Sequence, residues 1–367
     1  MQPFKTGMKV TGNEFFGRQV ELSRLREFMQ SSGRVYVVGE RRIGKTSLIF
    51  EAIRPLKKMP FVYVDLFAVK TVSDVTHRLA LGVGKAKTAR AHILSLLAAF
   101  TSLRPSLAVD PVTQAPTLTF APGTGDSPET LDEIFGIIDR WPAAVVVFDE
   151  FQDILALREA ETVIAHLRSL VQLREKTCFV FCGSIRSQME AIFTDEEAPF
   201  FNSAMRLFVG PMEKGVLEKM VRKKLASGKR RISAELLGGI LETCHCNPGD
   251  VQRYCTALWQ VTSYDSDIAK GEMGEALNML FAMQQEKYEV IMLALSPQQA
   301  QALRALAIVG GESNLSKAFI EQTGISLMPS VEKALRGLID KRIVYKIDTR
   351  YRFCDPFLAA WLRRQPA

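Results

Sequence analysis

No stretch of this 367-residue sequence approaches the run of about 18 apolar residues that a membrane-spanning helix needs. The opening residues, MQPFKTGMKV, carry no apolar core of the kind a secretion signal has, so a cytoplasmic protein with no membrane partner is expected. Histidine is scarce, at four residues, and the six cysteines fall in no zinc-binding spacing. Cys178 and Cys182 lie within one strand-like run, Cys244, His245 and Cys246 crowd too closely for C-x2-C ligation, and Cys255 and Cys354 stand apart. Free thiols in a reducing compartment are the plain reading. The sequence also has no internal repeat and no low-complexity segment, which excludes solenoid architectures.

What is present is ordinary globular material: 47% hydrophobic and 24% charged residues, in a chain long enough for two or three domains. The net charge of +7 is unevenly spread, because residues 296–367 hold eleven Lys and Arg against six Asp and Glu. A basic C-terminal fifth permits a nucleic-acid contact without establishing one.

Residues 35–38, VYVV, form a short β-branched run followed by Gly39-Glu40-Arg41-Arg42-Ile43-Gly44-Lys45-Thr46-Ser47 and then the apolar start of a helix. Gly-x4-Gly-Lys-Thr between a strand and a helix is a phosphate-binding loop. Its glycines let successive backbone N–H groups turn inward toward phosphate oxygens, and the helix N-terminus behind adds partial positive charge. Lys45 is placed to reach the β- and γ-phosphates, and the Thr46 hydroxyl to ligate Mg²⁺. A bound nucleoside triphosphate is therefore predicted. No Asn-Lys-x-Asp guanine-reading motif occurs, which favours ATP over GTP.

Residues 144–150, AVVVFDE, are a second buried-strand run that ends in two carboxylates. Taken alone, they read equally well as a strand end capped by solvated acids. Beside a phosphate loop, Asp149 completes the Mg²⁺ site begun by Thr46, and Glu150 is the base that orients and deprotonates the attacking water. Hydrolysis is predicted, with Lys45 and Glu150 as its catalytic groups.

The remaining pattern predicts an α/β fold, a P-loop parallel sheet with helices on both faces. A turn and an amphipathic helix occupy 14–28 with Leu22, Leu25 and Phe28 on one face, and Pro55 ends the helix after the phosphate loop. FVYVDLF (61–67) and CFVFCGS (178–184) read as further buried strands, with helices near 73–82, 129–140 and 158–174. SLAVD (106–110) and PTLTFA (116–121) suggest a hairpin in an insertion. Residues 212–292 read as helices. After them, Ser296-Pro297 starts a helix that Gly310-Gly311 stops, a second helix ends at Gly324, and a third presents Val331, Ala334, Leu335 and Leu338 on one face. The hairpin of IVYKI (343–347) and YRF (351–353) completes a winged helix-turn-helix. The predicted domains are a core at 1–210 with an insertion at about 84–128, a helical lid at 211–292 and a winged helix at 293–367.

From residue 14 to 364 the sequence resembles the archaeal-type ATPases of the STAND branch of AAA+-related P-loop proteins. The motifs are Phe16-Gly17-Arg18-x-x-Glu21-Leu22, GERRIGKTSL, FVYVDLF, VVVFDEFQDI, FCGS, CNPGD and the closing FCDPFLAAWLR. The resemblance implies that Phe16, Gly17 and Arg18 hold the adenine end of the nucleotide. It places Ser184 where a polar group senses the γ-phosphate, and Pro248 where the lid touches the nucleotide. Arg206 falls where relatives carry an arginine finger, although APFFNSAMRLF departs from the usual Pro-Leu-Tyr-Gly-Arg spelling. Gln252 stands where related initiators have a sensor arginine, and Arg253 is the next residue. Gln152 is a candidate for orienting water.

A phosphate loop with a mobile lid suits a slow ATP/ADP switch. Its winged helix has two readings at this point. In the first it binds double-stranded DNA, through Lys333, Arg336 and Lys341 on the third helix and Lys346, Arg350 and Arg352 on the wing. Glu332 and Asp340 near that helix argue against a strong major-groove reader. In the second it contacts a protein partner, or a homo-oligomer forms in which Arg206 completes a neighbour's site.

Overall fold

The structure is a computed structural model that describes residues 2–86, 129–309, 316–325, 327–347 and 349–365 in full, and 105–109 and 116–120 as backbone. The chain forms two compact units. The first comprises Lys9–Glu40 and Gly44–Gly210; the second comprises Met1–Met8, Arg41–Ile43 and Pro211–Ala367.

The first unit is built on five parallel strands: β1 (Arg34–Val38), β2 (Phe61–Asp65), β5 (Ala144–Asp149), β6 (Thr177–Gly183) and β7 (Met205–Phe208). Their order across the sheet is β2-β5-β6-β1-β7. β5 and β6 are buried along their whole length, as expected of unbroken apolar runs in the middle of a covered sheet. FVYVDLF was expected to be buried in the same way, but β2 is an edge strand whose burial alternates, with Phe61 and Tyr63 only partly covered. β7 has no counterpart in the sequence reading. It is four residues long with only Leu207 buried, too short and too exposed to leave a hydrophobic signature.

Helices α1 (Gln19–Gln30), α2 (Lys45–Ile53), α3 (Val72–Lys85), α4 (Thr130–Ile138), α5 (Ala160–Gln172) and α6 (Arg186–Phe193) flank the sheet. α1 buries Leu22, Leu25 and Met29, while Phe28 lies half-covered. α2 ends just before Pro55, which cannot continue a helix interior. Phe151, Phe181, Phe193 and Phe200 pack ring against ring, with centroids 4.7–5.9 Å apart. Each such ring, fully buried, contributes about 1.5–3 kcal/mol. The predicted hairpin is β3 (Pro105–Val109) antiparallel to β4 (Pro116–Phe120); the start of the insertion, to residue 86, belongs to the end of α3 and its cap, and its remainder lies outside the described residues.

In the second unit, α7 (Lys214–Ala226), α8 (Ala234–Thr243), α9 (Pro248–Val261), α10 (Lys270–Ala282) and α11 (Gln285–Leu293) precede the winged helix. That domain is α12 (Pro297–Val309), α13 (Lys317–Thr323), α14 (Met328–Asp340), the antiparallel pair β8 (Val344–Ile347) and β9 (Arg350–Phe353), and α15 (Pro356–Leu362). Ser296 caps α12 reciprocally with Gln299, and Gly324 ends α13 at φ 65°. The expected Gly310-Gly311 stop lies outside the described residues. α14 buries Val331, Ala334, Leu335 and Leu338, the face that its periodicity predicts. The N-terminal strap lies along α9, with Phe4 buried edge-on to Trp259 at 6.4 Å and Lys5 N donating to Gln252 Oε1 at 3.3 Å. Gln252 therefore holds the strap. Among the described residues, no helix is long and apolar enough to cross a membrane.

Candidate active site and family

Parallel strands carry their ligands at the carboxyl ends, where helix N-termini converge. β1 ends at Val38, immediately before the phosphate loop, and Gly44 at φ 101° opens α2. Lys45 is buried, and its Nζ donates to Gly39 O at 2.8 Å and Glu40 O at 2.9 Å. The ammonium is thus held across the mouth of the loop by carbonyls of the loop itself. The Ser47 hydroxyl accepts from Val10 N at 3.0 Å.

β5 brings Asp149 to the same end of the sheet. Its Oδ2 accepts from Thr46 Oγ1 at 3.0 Å and from the Tyr63 hydroxyl at 2.5 Å, while its Oδ1 accepts from Glu150 N at 3.0 Å. Burial first, and then the Asp149 charge, raises the Tyr63 pKa far above its ordinary value, so the phenol stays a donor. Burial likewise pushes the Cys182 thiol well up, with the adjacent Asp149 charge adding to it. The sequence reading had Thr46 and Asp149 but missed Tyr63. β2 pairs with β5 in the register Asp65↔Asp149, so two-residue alternation puts Tyr63 on the face of Asp149.

Thr46 and Asp149 fit Mg²⁺: one hydroxyl and one carboxylate, 3.0 Å apart at the foot of a phosphate loop. Such a pair leaves most of the octahedron to phosphate oxygens and water. Among the described residues, no cluster of three or more His, Cys, Asp or Glu side chains gathers to hold a metal without such help.

Glu150 follows at φ 50° and ψ 42°, the left-handed region that a non-glycine residue occupies only under constraint. The constraint is visible on either side. β5 ends at Asp149, and Phe151 is driven into the aromatic cluster at 4.7 Å from Phe181. Held this way, the Glu150 carboxylate takes two donors on one oxygen: Ser184 Oγ at 2.7 Å and Gln152 Nε2 at 2.6 Å, both to Oε2. Gln152 is itself buried, donating also to Asp153 Oδ1 at 3.0 Å and accepting from Ser184 N at 3.3 Å. A Cβ on Gly183 would run into Met189 Sδ and lie 2.5 Å from Gln152 Oε1, so a side chain there would displace both. Sheet order explains the meeting: β6 lies between β5 and β1, so its tip brings Ser184 to Glu150.

Other predicted residues are placed elsewhere. Gly17 and Arg18 both have positive φ at the entry to α1. The Arg18 guanidinium, which burial makes easier to deprotonate, pairs with Glu21 at 3.0 Å and donates to Gly210 O at 2.7 Å. Phe16 is half-buried beside them. Arg206 stands on β7, paired with Glu190 at 3.2 Å and 5.7 Å from the Phe208 ring centroid. Its partner is thus on α6 rather than in the Glu150 cluster. Pro248 is the first, buried residue of α9, and Asn247 caps that helix by accepting from Gly249 N at 3.0 Å. Arg253 is committed to Asp250 and Asp355. Lys333, Arg336, Lys341, Lys346 and Arg350 are exposed and Arg352 half-buried. Of these, Lys341 donates to Ala294 O at 2.9 Å and Lys346 sits 5.5 Å from the Tyr351 ring centroid.

The chain is similar over its length to three solved structures, all at identities that speak to the fold alone. The Walker-type ATPase paby2304 of Pyrococcus abyssi superposes with a TM-score of 0.67 at 18% identity, over 98% of this chain and 99% of that one. The Aeropyrum pernix ORC2 protein, solved as ADPNP–ADP complexes, gives 0.56 at 15%, over 98% and 96%. The Aeropyrum pernix ORC1 protein in complex with DNA gives 0.53 at 12%, over 97% and 93%. No curated protein matches. A family model described as "Probable winged helix domain" matches residues 286–364. Residues 15–251, well over half of the chain, match the model described as "ATPase domain predominantly from Archaea". Phosphate loop, acidic strand end and fold therefore converge with the family match: the protein belongs to this archaeal-type ATPase family and is an ATPase that carries a winged helix domain.

Proposed function

We propose that this ATPase is a slow molecular switch of the STAND branch of AAA+-related proteins, whose nucleotide state governs DNA binding by its winged helix. In the hydrolytic step, Glu150 Oε2 is held by Ser184 and Gln152, so Oε1 is the oxygen available to take the proton of the attacking water. Lys45 would turn from the loop carbonyls to the phosphates, and Thr46 and Asp149 would hold Mg²⁺. Bound Mg²⁺ would neutralise charge on the β- and γ-phosphates. Phe16, Gly17 and Arg18 are assigned to the adenine end and Pro248 to the lid contact, on the strength of the resemblance.

One observation carries the DNA reading. α14 buries Val331, Ala334, Leu335 and Leu338 and leaves Lys333 and Arg336 exposed, with Lys346 and Arg350 exposed on the wing. Such groups contact phosphates. That the similarly folded ORC1 protein was solved in complex with DNA supports DNA as the partner. The test is ATP turnover and fluorescent-duplex anisotropy for the wild type and Lys333→Ala/Arg336→Ala. Expected are turnover that responds to DNA, and a binding constant that falls steeply with salt, less steeply in the double variant. Turnover indifferent to duplex at low salt sinks the DNA reading.

A second reading, a winged helix that contacts protein, is favoured by Leu327 and Met328. These residues are 66% and 37% exposed at the start of α14, where a base-reading helix would be polar. In this reading the protein is a signalling or scaffold ATPase. Turnover that rises steeply with its own concentration would point to a homo-oligomer, with Arg206 released from Glu190 to reach a neighbour's site.

A further inference from the structure

The tip of the phosphate loop, Arg41–Ile43, falls in the same compact unit as residues 211–367. Two hydrogen bonds hold it there. Asn247 Nδ2 donates to Arg41 O at 2.9 Å, and Gly249 N donates to Arg42 O at 3.1 Å. The approach is close enough to require glycine, because a Cβ on Gly249 would sit 2.6 Å from both Arg42 Cβ and Arg42 O.

From Arg42 a line of alternating charges runs on to the last helix. Arg42 Nη1 pairs with Asp250 Oδ1 at 3.2 Å, and the same oxygen accepts from Arg253 Nη1 at 3.1 Å. Arg253 Nη1 also reaches Asp355 Oδ1 at 3.2 Å. Asp355 Oδ2 accepts from the Tyr288 hydroxyl at 3.3 Å, with Lys287 at 3.9 Å. Asp250 is 4% exposed at its side chain, Asp355 12% and Arg253 15%, so each charge depends on its neighbours rather than on water. Burial raises the Asp250 pKa, an effect that Arg42 and Arg253 oppose. Burial also works against the Arg253 charge, and Asp355 and Asp250 outweigh it.

We propose that Asp355, the cap of the last helix of the winged domain, is a positioning residue for the phosphate loop. It acts through Arg253 and Asp250 to hold Arg42, and so sets nucleotide affinity. Coupling free energies are reciprocal, so nucleotide in the loop alters the hold on Asp355 and hence on α15. The proposal rests on nucleotide occupying the phosphate loop, but not on DNA being the partner of the winged helix.

The experiment is titration of fluorescently labelled ADP with full-length wild type, Asp355→Asn, Arg42→Ala and the double variant. Asn keeps the helix cap while removing the charge. Asp355→Asn is expected to weaken binding about five- to tenfold, and to have no further effect in the Arg42→Ala background. An equal loss in both backgrounds, or no loss in either, overturns the relay. Tyr288→Phe, which deletes one donor to Asp355 and no charge, provides the same cycle should Asp355→Asn melt early. A smaller loss, again confined to the chain with Arg42, supports the proposal. Wild type that binds no labelled ADP would instead overturn nucleotide occupancy itself.

Discussion

The Tyr63 phenol and the Thr46 hydroxyl converge on one oxygen of Asp149, at 2.5 Å and 3.0 Å. Two donors on a single carboxylate oxygen fix the plane of the group that would face Mg²⁺. Tyr63→Phe removes one of them and leaves the packing of the ring against Phe50 in place. Outer-shell partners of metal-binding carboxylates are worth about tenfold or more in metal affinity. The half-saturating Mg²⁺ concentration for binding of labelled ATP is expected to rise by that order. An unchanged Mg²⁺ titration would show that Thr46 alone suffices.

Glu150 and Ser184 should separate in their effects. Glu150→Gln keeps the shape and loses the base, so turnover is expected to fall by about 10²–10⁴-fold while ATP still binds. Ser184→Ala removes one donor of two to Glu150, and a hydrogen bond to a charged group is worth about 1.5–3 kcal/mol. A loss of roughly tenfold in kcat corresponds to the lower end of that range. Single-turnover hydrolysis with labelled ATP measures both.

The start of α3 makes a pH prediction. Asp74 Oδ2 accepts from Lys70 N at 2.9 Å and Thr71 N at 3.0 Å, while Thr71 Oγ1 accepts from Asp74 N at 3.1 Å. Burial is the largest single influence and opposes the charge, but the Lys70 and Thr71 donors and the nearby Arg78 charge together outweigh it and lower the Asp74 pKa. A carboxyl whose folded pKa lies below its unfolded value stabilises above the unfolded value and loses that contribution as pH falls through the folded one. Asp74→Ala is therefore expected to cost about 1 kcal/mol at neutral pH, and the difference from wild type should vanish in acid. Urea unfolding of both proteins at neutral and acidic pH checks the sign.

Thiol chemistry tests the packing. Cys178, Cys182, Cys244 and Cys255 are buried, and Cys246 and Cys354 are half-buried. Burial pushes the Cys178 thiol up to about 12 and the Cys255 thiol further still. In native protein the thiol reagent DTNB is expected to react first with Cys246 and Cys354, and with all six cysteines after denaturation. Rapid reaction of Cys182 would mean that the carboxyl end of β6 is open to solvent.

Much of this protein is legible in its sequence, for a physical reason particular to each element. β5 and β6 are unbroken apolar runs because strands in the middle of a covered sheet are buried on both faces. α12 and α14 are announced by a serine cap and by apolar periodicity, both local properties of the chain. The phosphate loop is readable because its chemistry needs glycines, a lysine and a hydroxyl at fixed spacing within one turn. The tertiary structure decided what depends on partners far apart in the chain. Tyr63 meets Asp149 only through the register of β2 on β5, and Ser184 meets Glu150 only because β6 lies between β5 and β1. Arg206 went to Glu190 through β7, an edge strand with one buried side chain and so no pattern to read. Arg42 and Asp355 carry no mutual signal in sequence at all. They are joined by two buried charges whose pairing only the packing of α9 and α15 could bring about.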